Sequence, residues 1–417
     1  MLRKFTREER AWMLYDWANS AFSAIISAII LPIFFKSMAV SSGVSNVNAT
    51  AYWGYATSFA TLICAILAPF LGTIGDFKGM KKKLFTGFML LGVISTFLLA
   101  LTNNWKILLL FYMTGTLGFS ASCIYYDSFL LDVTDASRMD RVSTVGYGLG
   151  YIGGSTIPLI VSLVLIQFGD KIGIETAAAT KVSFVLTAAW WLVFTIPMLR
   201  HVHQKHSIDM KDNMLAQTGR HIGETIRKIL KHKPVFFFLI AYFFYIDGVG
   251  TIIHMATVFG DSCGLDSMDM MVILLVVQIV AFPFAIIYGR LSARFGARSM
   301  ILFGIGTYIL VCAVGFNLKE MKDFLMLAVL VGTAQGGIQA LSRSFYGKLV
   351  PAEHAGEYFG FFDVFGKFSA VIGPALFGLT AQLTGVTNFG ALAVMGMFIF
   401  GGAIMILFVP KDTRKIG

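Results

Sequence analysis

Gly72–Lys82 reads GTIGDFKGMKK. It ends one long apolar run and precedes another. Asp76, Lys78, Lys81 and Lys82 do not belong in hydrocarbon, where each charge costs at least ~2.5 kcal/mol. The stretch therefore marks a membrane boundary, and the runs on either side are membrane spans.

The rest of the chain has the same character. Of 417 residues, 57% are hydrophobic and 13% charged, with 39 Phe and 20 Met. Soluble domains are nearer half apolar and a quarter charged. The composition is that of an integral membrane protein. A basic start (Arg3, Lys4, Arg7, Arg10) resembles a secretory leader. The apolar run behind it is too long for a leader and has no small-residue cleavage site, so it reads as a retained first span.

About 20 apolar residues cross the hydrocarbon core. On that measure the spans are 11–35, 51–75, 84–102, 106–131, 142–168, 182–199, 234–259, 268–289, 299–316, 323–347, 358–382 and 388–409. Twelve spans put both termini on one side. With the N-terminus inside, the inner segments hold 26 of the 33 Lys and Arg, the outer segments hold six, and Lys367 lies within span 11. That asymmetry satisfies the positive-inside rule and makes both termini cytoplasmic. The net charge of +10 is thereby assigned to topology, not to nucleic acid. Cys64, Cys123, Cys263 and Cys312 show no metal-binding or disulfide spacing.

One long connection, residues 200–233, divides the spans six and six. Ile222, Ile226, Ile229 and Leu230 recur at helical spacing beside Arg227, Lys228 and Lys231, the pattern of an amphipathic helix on the inner leaflet. A solvated linker is the competing reading. The expected units are a six-helix bundle over 1–199, the linker 200–233 and a second bundle over 234–417.

The opening stretch has a counterpart. GRLSARFGAR starts at Gly289, 217 residues after Gly72 and also after an even-numbered span. GLGYIGGSTIP, with Gly150 and Pro158, is followed by GKFSAVIGP, with Gly366 and Pro374, at an offset of 216. Val133 and Val350 close spans 4 and 10. The chain is a duplicated six-span unit, an arrangement common among secondary transporters.

Gly72, Asp76, Gly79, Lys81 and Lys82 match the loop signature of the major facilitator superfamily. The second copy keeps Gly289, Arg294, Gly296 and Arg298, which makes Arg294 and Arg298 candidate gate residues, but has Ala293 where the acid falls. More finely, YDWANSAF (Tyr15–Phe22), GGIQALSRSFYGKLVP (Gly336–Pro351) and EYFGFFDVFGKFSAVIGP (Glu357–Pro374) resemble the vacuolar amino-acid effluxer family of autophagy and its bacterial relatives. The resemblance implies an all-α major facilitator fold of two pseudo-symmetric bundles. Spans 1, 4, 7 and 10 then line a central cavity, spans 2, 5, 8 and 11 flank it, and spans 3, 6, 9 and 12 face lipid. Spans 3, 6, 9 and 12 contain no Asp, Glu, Lys or Arg, in keeping with that geometry. The compact chain points to a bacterial inner-membrane protein, which makes the sequon at Asn48 incidental.

Candidate site residues follow from polar groups inside spans. Asp16, Asn19, Ser20, Ser23 and Ser27 share one face of span 1. They read as a cavity stripe or as a helix–helix contact. Asp16 is shallow, which favours a gate closed by a cation from the other half. In span 4, Asp127 is a cavity or gate carboxylate beside Tyr126, and Asp132 is a boundary residue for loop cations. In span 7, Asp247, Thr251 and His254 are a candidate proton relay, with a hydrogen-bonded core group as the alternative. In span 10, Gln335 and Gln339 suit a polar solute, and Arg343 is a carboxylate ligand or an inner anchor. Asp363 and Lys367 are placed for an i,i+4 pair, or for a gate in which one of them switches partners across the halves. By the resemblance, Asp76 accepts hydrogen bonds at the N-terminus of span 11 while Lys78, Lys81 and Lys82 hold nearby carboxylates. Gly146, Gly150 and Gly154 form a small-residue ridge on span 5.

The expected function is secondary active transport of a small-molecule substrate. The resemblance makes the substrate an amino acid leaving the cytoplasm, with a proton as candidate counter-ion. An exporter or flippase of an amphipathic solute such as a drug or lysolipid, and a non-transporting sensor or scaffold, are the rival readings. There is no Walker loop and no nucleophile–base constellation, so no enzyme activity and no cofactor is expected. The partners are membrane lipid and solute, and the chain is read as a monomer.

Overall fold

The computed structural model describes residues 2–209, 214–262 and 267–411. Cys263 and the last six residues lie outside them. Twelve helices among the described residues are long and apolar enough to cross a membrane. They are span 1 (Arg7–Ser41), span 2 (Asn46–Asp76), span 3 (Met80–Leu99), span 4 (Trp105–Val133), span 5 (Ala136–Ile172) and span 6 (Thr176–His201). Then come span 7 (Lys233–Ser262), span 8 (Ser267–Phe295), span 9 (Ala297–Phe316), span 10 (Met321–Leu349), span 11 (Ala355–Thr384) and span 12 (Phe389–Phe408). A further helix, Met214–Lys231, lies in the linker. No strand is present among the described residues; Phe77 and Ile208 form an isolated bridge.

Several helices outrun the apolar windows that mark them in the sequence. Span 5 extends to Ala136 and Ile172, and span 1 starts at Arg7. A helix need not stop where hydrocarbon stops; it stops where its end groups are capped. At span 1 this is a capping box: Thr6 Oγ1 accepts from Glu9 N, and the Glu9 carboxylate accepts from Thr6 N. Ser45 and Asn104 cap spans 2 and 4. Gly79 takes φ +75° in the turn between spans 2 and 3, a backbone that only glycine adopts without strain.

Two hydrophobic cores are present, one per half. One gathers buried side chains from Phe5 to Val202, including Trp12, Tyr15, Phe22, Tyr126 and Trp191. The other runs from Ile229 to Val409 around Phe238, Tyr245, Tyr308, Tyr346 and Phe398. Large apolar side chains stay exposed on the outer helices, among them Ile94, Val193, Phe303, Leu310, Phe400 and Leu407. No water-facing surface carries so continuous an apolar cover.

The helices of the two halves meet in two seams. Span 2 packs along span 11, and span 5 packs along spans 8 and 10. The loops 2–3, 4–5, 8–9 and 10–11 lie at the end of the bundle that carries the linker; we call it the inner face. Spans 1 and 5 each contain a π-helical segment, Phe22–Ile29 and Gly150–Thr156, a feature frequent at functional positions.

Candidate functional site

Arg343 of span 10 is the centre of the inner face. Its guanidinium is 2% exposed and bonds Asp16 Oδ2 at 3.2 Å and Asp127 Oδ1 at 3.0 Å. It also donates to Ser143 Oγ at 2.9 Å and to the Ser143 carbonyl at 3.2 Å. Trp12, Tyr126 and Tyr147 surround it, with ring centroids 4.6, 5.1 and 4.4 Å from its Cζ. Tyr126 donates to Asp16 Oδ2 at 2.7 Å, and Trp12 Nε1 donates to the Tyr126 carbonyl. Among the described residues, every acceptor of the Arg343 hydrogen bonds comes from spans 1, 4 and 5. One cation from the second half is thus clamped by two carboxylates of the first. Ion pairs at such depth are screened little, and neither partner is left without hydrogen bonds.

Local sequence explains how the charges reach each other. Gly146 in span 5 lies under Asp16: a Cβ there would stand 2.7 Å from Asp16 Oδ2. Gly150 and Gly154 give the same access to Ser20 and to the Asp16 and Trp17 carbonyls. The small-residue ridge therefore seats span 1, and Asp16 and Ser20 pack into it. Ser23 and Ser27 lie in the π segment, half-buried. The wide turn shifts the helical register, so the span 1 stripe does not continue as a single face.

The second contact is between spans 2 and 11. Asp76 is fully buried, and its carboxylate accepts from Gly356 N at 2.7 Å and Glu357 N at 2.8 Å. These are free N–H groups of the first turn of span 11, where the helix dipole also favours an anion. Close approach of the two helices makes this possible. A Cβ on Gly72 would meet the Gly356 carbonyl oxygen at 2.1 Å, and one on Gly360 would meet that of Ala68 at 2.5 Å. Small residues four apart on both helices let the backbones cross.

Further contacts surround these two. Asp140 pairs with Lys348 at 2.6 Å and accepts from Ser344 Oγ at 2.7 Å. Ser143 donates to the Ala340 carbonyl at 2.7 Å. Lys81 is buried against Asp132 at 2.9 Å, within the first half. Asp132 Oδ1 also accepts from Lys205 N and His206 N, both at 2.9 Å, and lies 3.1 Å from His206 Nδ1. Gln204 accepts from Gly79 N at 3.0 Å and donates to the carbonyls of Gly75, Asp76 and Phe77. Residues 204–208 of the linker are therefore strapped onto the loop of Gly72–Lys82.

His206 gives the strap a pH dependence. Its hydrogen bond to Asp132 raises its pKa above the ordinary 6.5, with Glu353 adding to the rise while burial and Lys81 oppose it. A raised folded-state pKa means the contribution is full below 6.5 and is lost as pH climbs through the folded value. After correction for intrinsic rates, amide exchange over 204–208 is expected to be slower at pH 6 than at pH 8. His206→Gln should remove the difference; a difference that survives it would assign the effect elsewhere.

The remaining candidates divide. Asn19 is buried and reaches Cys123 Sγ at 3.8 Å. Asp247 is fully buried, and both its oxygens accept from Gly373 N at 2.9 Å. Thr251 is buried beside it, where a Cβ on Gly373 would meet both side chains. His254 is exposed, and no hydrogen bond joins it to Asp247 among the described residues. Gln335 is buried and Gln339 half-buried on span 10. Lys367 pairs with Asp363 along span 11. The second-copy cations stand outside the closure. Arg298 donates to the Met405 and Ile406 carbonyls, capping span 12 in its own half, and Arg294 is exposed over the Phe295 ring. Without an acid at Ala293 nothing draws them to the other half. Lys82 is half-buried beside Lys81.

Ser143, Asp140, Tyr147, Gln204 and Gly356 belong to the closure but carry no sequence signal of their own. Asp140 and Ser143 sit in a short polar loop-to-helix stretch that reads as an ordinary helix start. The offset of 216 that joins spans 5 and 11 relates Asp140 to Gly356, and that was the available clue.

This arrangement agrees with known proteins. The family model described as "Vacuole effluxer Atg22 like" matches residues 5–137 and 131–415. A Bacillus subtilis protein described as an uncharacterized MFS-type transporter, YxiO, is 47% identical over 99% of this chain and 97% of its own length. Autophagy-related protein 22 of Botryotinia fuckeliana is 23% identical over 63% of this chain, and the match spans about half of that protein, 49%. Among solved structures, the proton:xylose symporter XylE superposes with TM-score 0.75 at 13% identity, over 97% of this chain and 96% of that one. FucP in its outward conformation superposes with TM-score 0.72 at 12% identity, over 97% and 98%. At such identity the two structures speak for the fold. With its twelve helices, its Asp76 contact and a family match along nearly its whole length, the chain belongs to the Atg22-like effluxer family of major facilitator transporters.

Proposed function

We propose that the protein exports amino acids from a bacterial cytoplasm by alternating access, exchanging them for protons, with both termini cytoplasmic. The observation that carries this reading is the bridge from Arg343 to Asp16 and Asp127 across the two halves. It must break before the inner face can open. A zwitterion carries what is needed to replace it: an ammonium for the freed carboxylates and a carboxylate for Arg343, which accepts bidentate pairing. Solute entering from the inner side therefore offsets the cost of parting the ions. Asp247 supports the proton. It is buried with a backbone N–H as partner and no cation among the described residues, so it can exchange a proton without breaking an ion pair.

The test is flux. Reconstituted in liposomes, the protein is expected to move labelled amino acids, faster with an inward-directed proton gradient. Asp247→Asn should keep solute exchange and lose the response to the gradient. Gradient-driven flux unchanged in Asp247→Asn would overturn the proton assignment. An amphipathic solute is the second reading. It is favoured by a shallow, open apolar depression lined by Tyr52, Tyr55, Phe59, Leu62 and Trp105. Flux of a labelled lysolipid in place of amino acids would select it.

A further inference from the structure

At the inner face the linker helix crosses the start of span 11. Glu357, in the first turn of that span, is fully buried, and neither carboxylate oxygen accepts a hydrogen bond among the described residues. A buried carboxylate left so is costly. His354, one turn earlier, has its Nδ1 at 3.6 Å from Glu357 Oε2, and that nitrogen likewise has no hydrogen bond. His221 projects from the linker helix to the same spot. Its ring centroid is 5.6 Å from that of His354 and 6.5 Å from that of Phe77. One ligand atom from each of His221, His354 and Glu357 lies within 4.8 Å of the others.

We propose that His221, His354 and Glu357 form a binding site for a divalent transition metal, Zn2+ by preference, that clamps the linker helix to the closed inner face. Two imidazoles and one carboxylate suit Zn2+ and leave a fourth position for water. Mg2+ and Ca2+ want mainly oxygen. In a tetrahedral shell at 2.0–2.1 Å the ligand atoms come within about 3.3 Å of one another. The side chains must therefore draw in by ordinary torsions, and two of the three ligands already stand on one helical turn. Asp76, which binds the Glu357 amide, adds a negative charge beside His354 and Glu357, and Lys228 opposes it near His354.

The mechanical consequence follows from connectivity. Glu357 gives its N–H to Asp76 and its carboxylate to the metal. The linker helix packs on span 2 as well as spans 7 and 11. A metal held by His221, His354 and Glu357 thus ties the Asp76 contact, span 11 and the linker into one unit.

Full-length protein, stripped with chelator, is titrated with Zn2+ alone by calorimetry or against a chromophoric chelator. One saturable site per chain is expected. His221→Ala and His354→Ala should each weaken it at least about 10-fold, since removing even an outer partner of a metal ligand costs that much. His203→Ala, in the linker just before the strap, should leave it unchanged. Amide exchange at Gly356 and Glu357 should slow on adding Zn2+ to the parent and not to His221→Ala. Absence of saturable binding, or equal binding in the parent and both His→Ala variants, overturns the site. Binding that leaves exchange at Gly356 and Glu357 unchanged overturns the clamp. None of these readouts depends on which solute is carried, or on transport at all.

Discussion

Arg343→Ala is expected to release the inner face and abolish transport. The substitution strands Asp16 and Asp127, which share that guanidinium at 3.2 and 3.0 Å. Removing one partner of a buried pair costs about 3–5 kcal/mol. The cost falls on the closed state, because in the open state both carboxylates regain water. A shift of 3 kcal/mol or more is about 10²-fold in the closed-to-open ratio. A cysteine placed at Ala340, which is buried beside Ser143 in the closed form, reports it. In inside-out vesicles, labelling by an impermeant thiol reagent should rise by about that factor. Arg343→Lys keeps the charge and loses the fork, so it should fall between. Equal protection of the thiol in Arg343→Ala and the parent would show that the ion pairs are not what closes the face.

Gly72→Leu should be as severe by a different route. Its Cβ has nowhere to go but the Gly356 carbonyl, 2.1 Å away. Backbone cannot yield as a side chain does. Overpacking of this kind costs about 1–3 kcal/mol. Separating the helices also deprives Asp76 of its two N–H partners, about 1.5–3 kcal/mol for each hydrogen bond to a charge. The protein should still fold, since the clash exists only while spans 2 and 11 touch. Exchange at the Gly356 and Glu357 amides should accelerate, and transport should be lost. Gly87→Leu is the control: a Cβ there meets nothing within 4 Å. Protected Gly356 and Glu357 amides in Gly72→Leu would remove the span 2–11 crossing from the closure.

The sequence made much of this legible. Span count came from runs of about 20 apolar residues, and the fold came from a loop signature whose glycines, acid and lysines each have a physical task. Asp76 was readable because a lone acid beside a membrane boundary needs donors, and a helix N-terminus supplies them. Asp16, Asp127 and Arg343 were readable as charges in apolar surroundings. That all three meet at one point was not, because their positions lie in different spans. Contact across 327 positions, as between Asp16 and Arg343, leaves no periodicity in a single chain. The second-copy arginines were misplaced for an instructive reason. Their motif persists, but the acid that gives it purpose is Ala293. Arg298 then turns to the nearest unsatisfied carbonyls, those ending span 12. The π segments leave no trace in the sequence, because a regular helix of 3.6 residues per turn accounts for the same apolar pattern.

The two seams are fastened by different means, which bears on how the inner face parts. One edge, spans 2 and 11, is held by a carboxylate on two backbone amides. At the opposite edge span 5 fits span 8, with Gly289 against Thr144 and Gly148 against Phe282, and is tied to span 10 by the Asp140–Lys348 ion pair and by the Ser143 bond to the Ala340 carbonyl. Opening the inner face therefore takes ruptures at both flanks as well as at Arg343, so no single contact carries the whole closure.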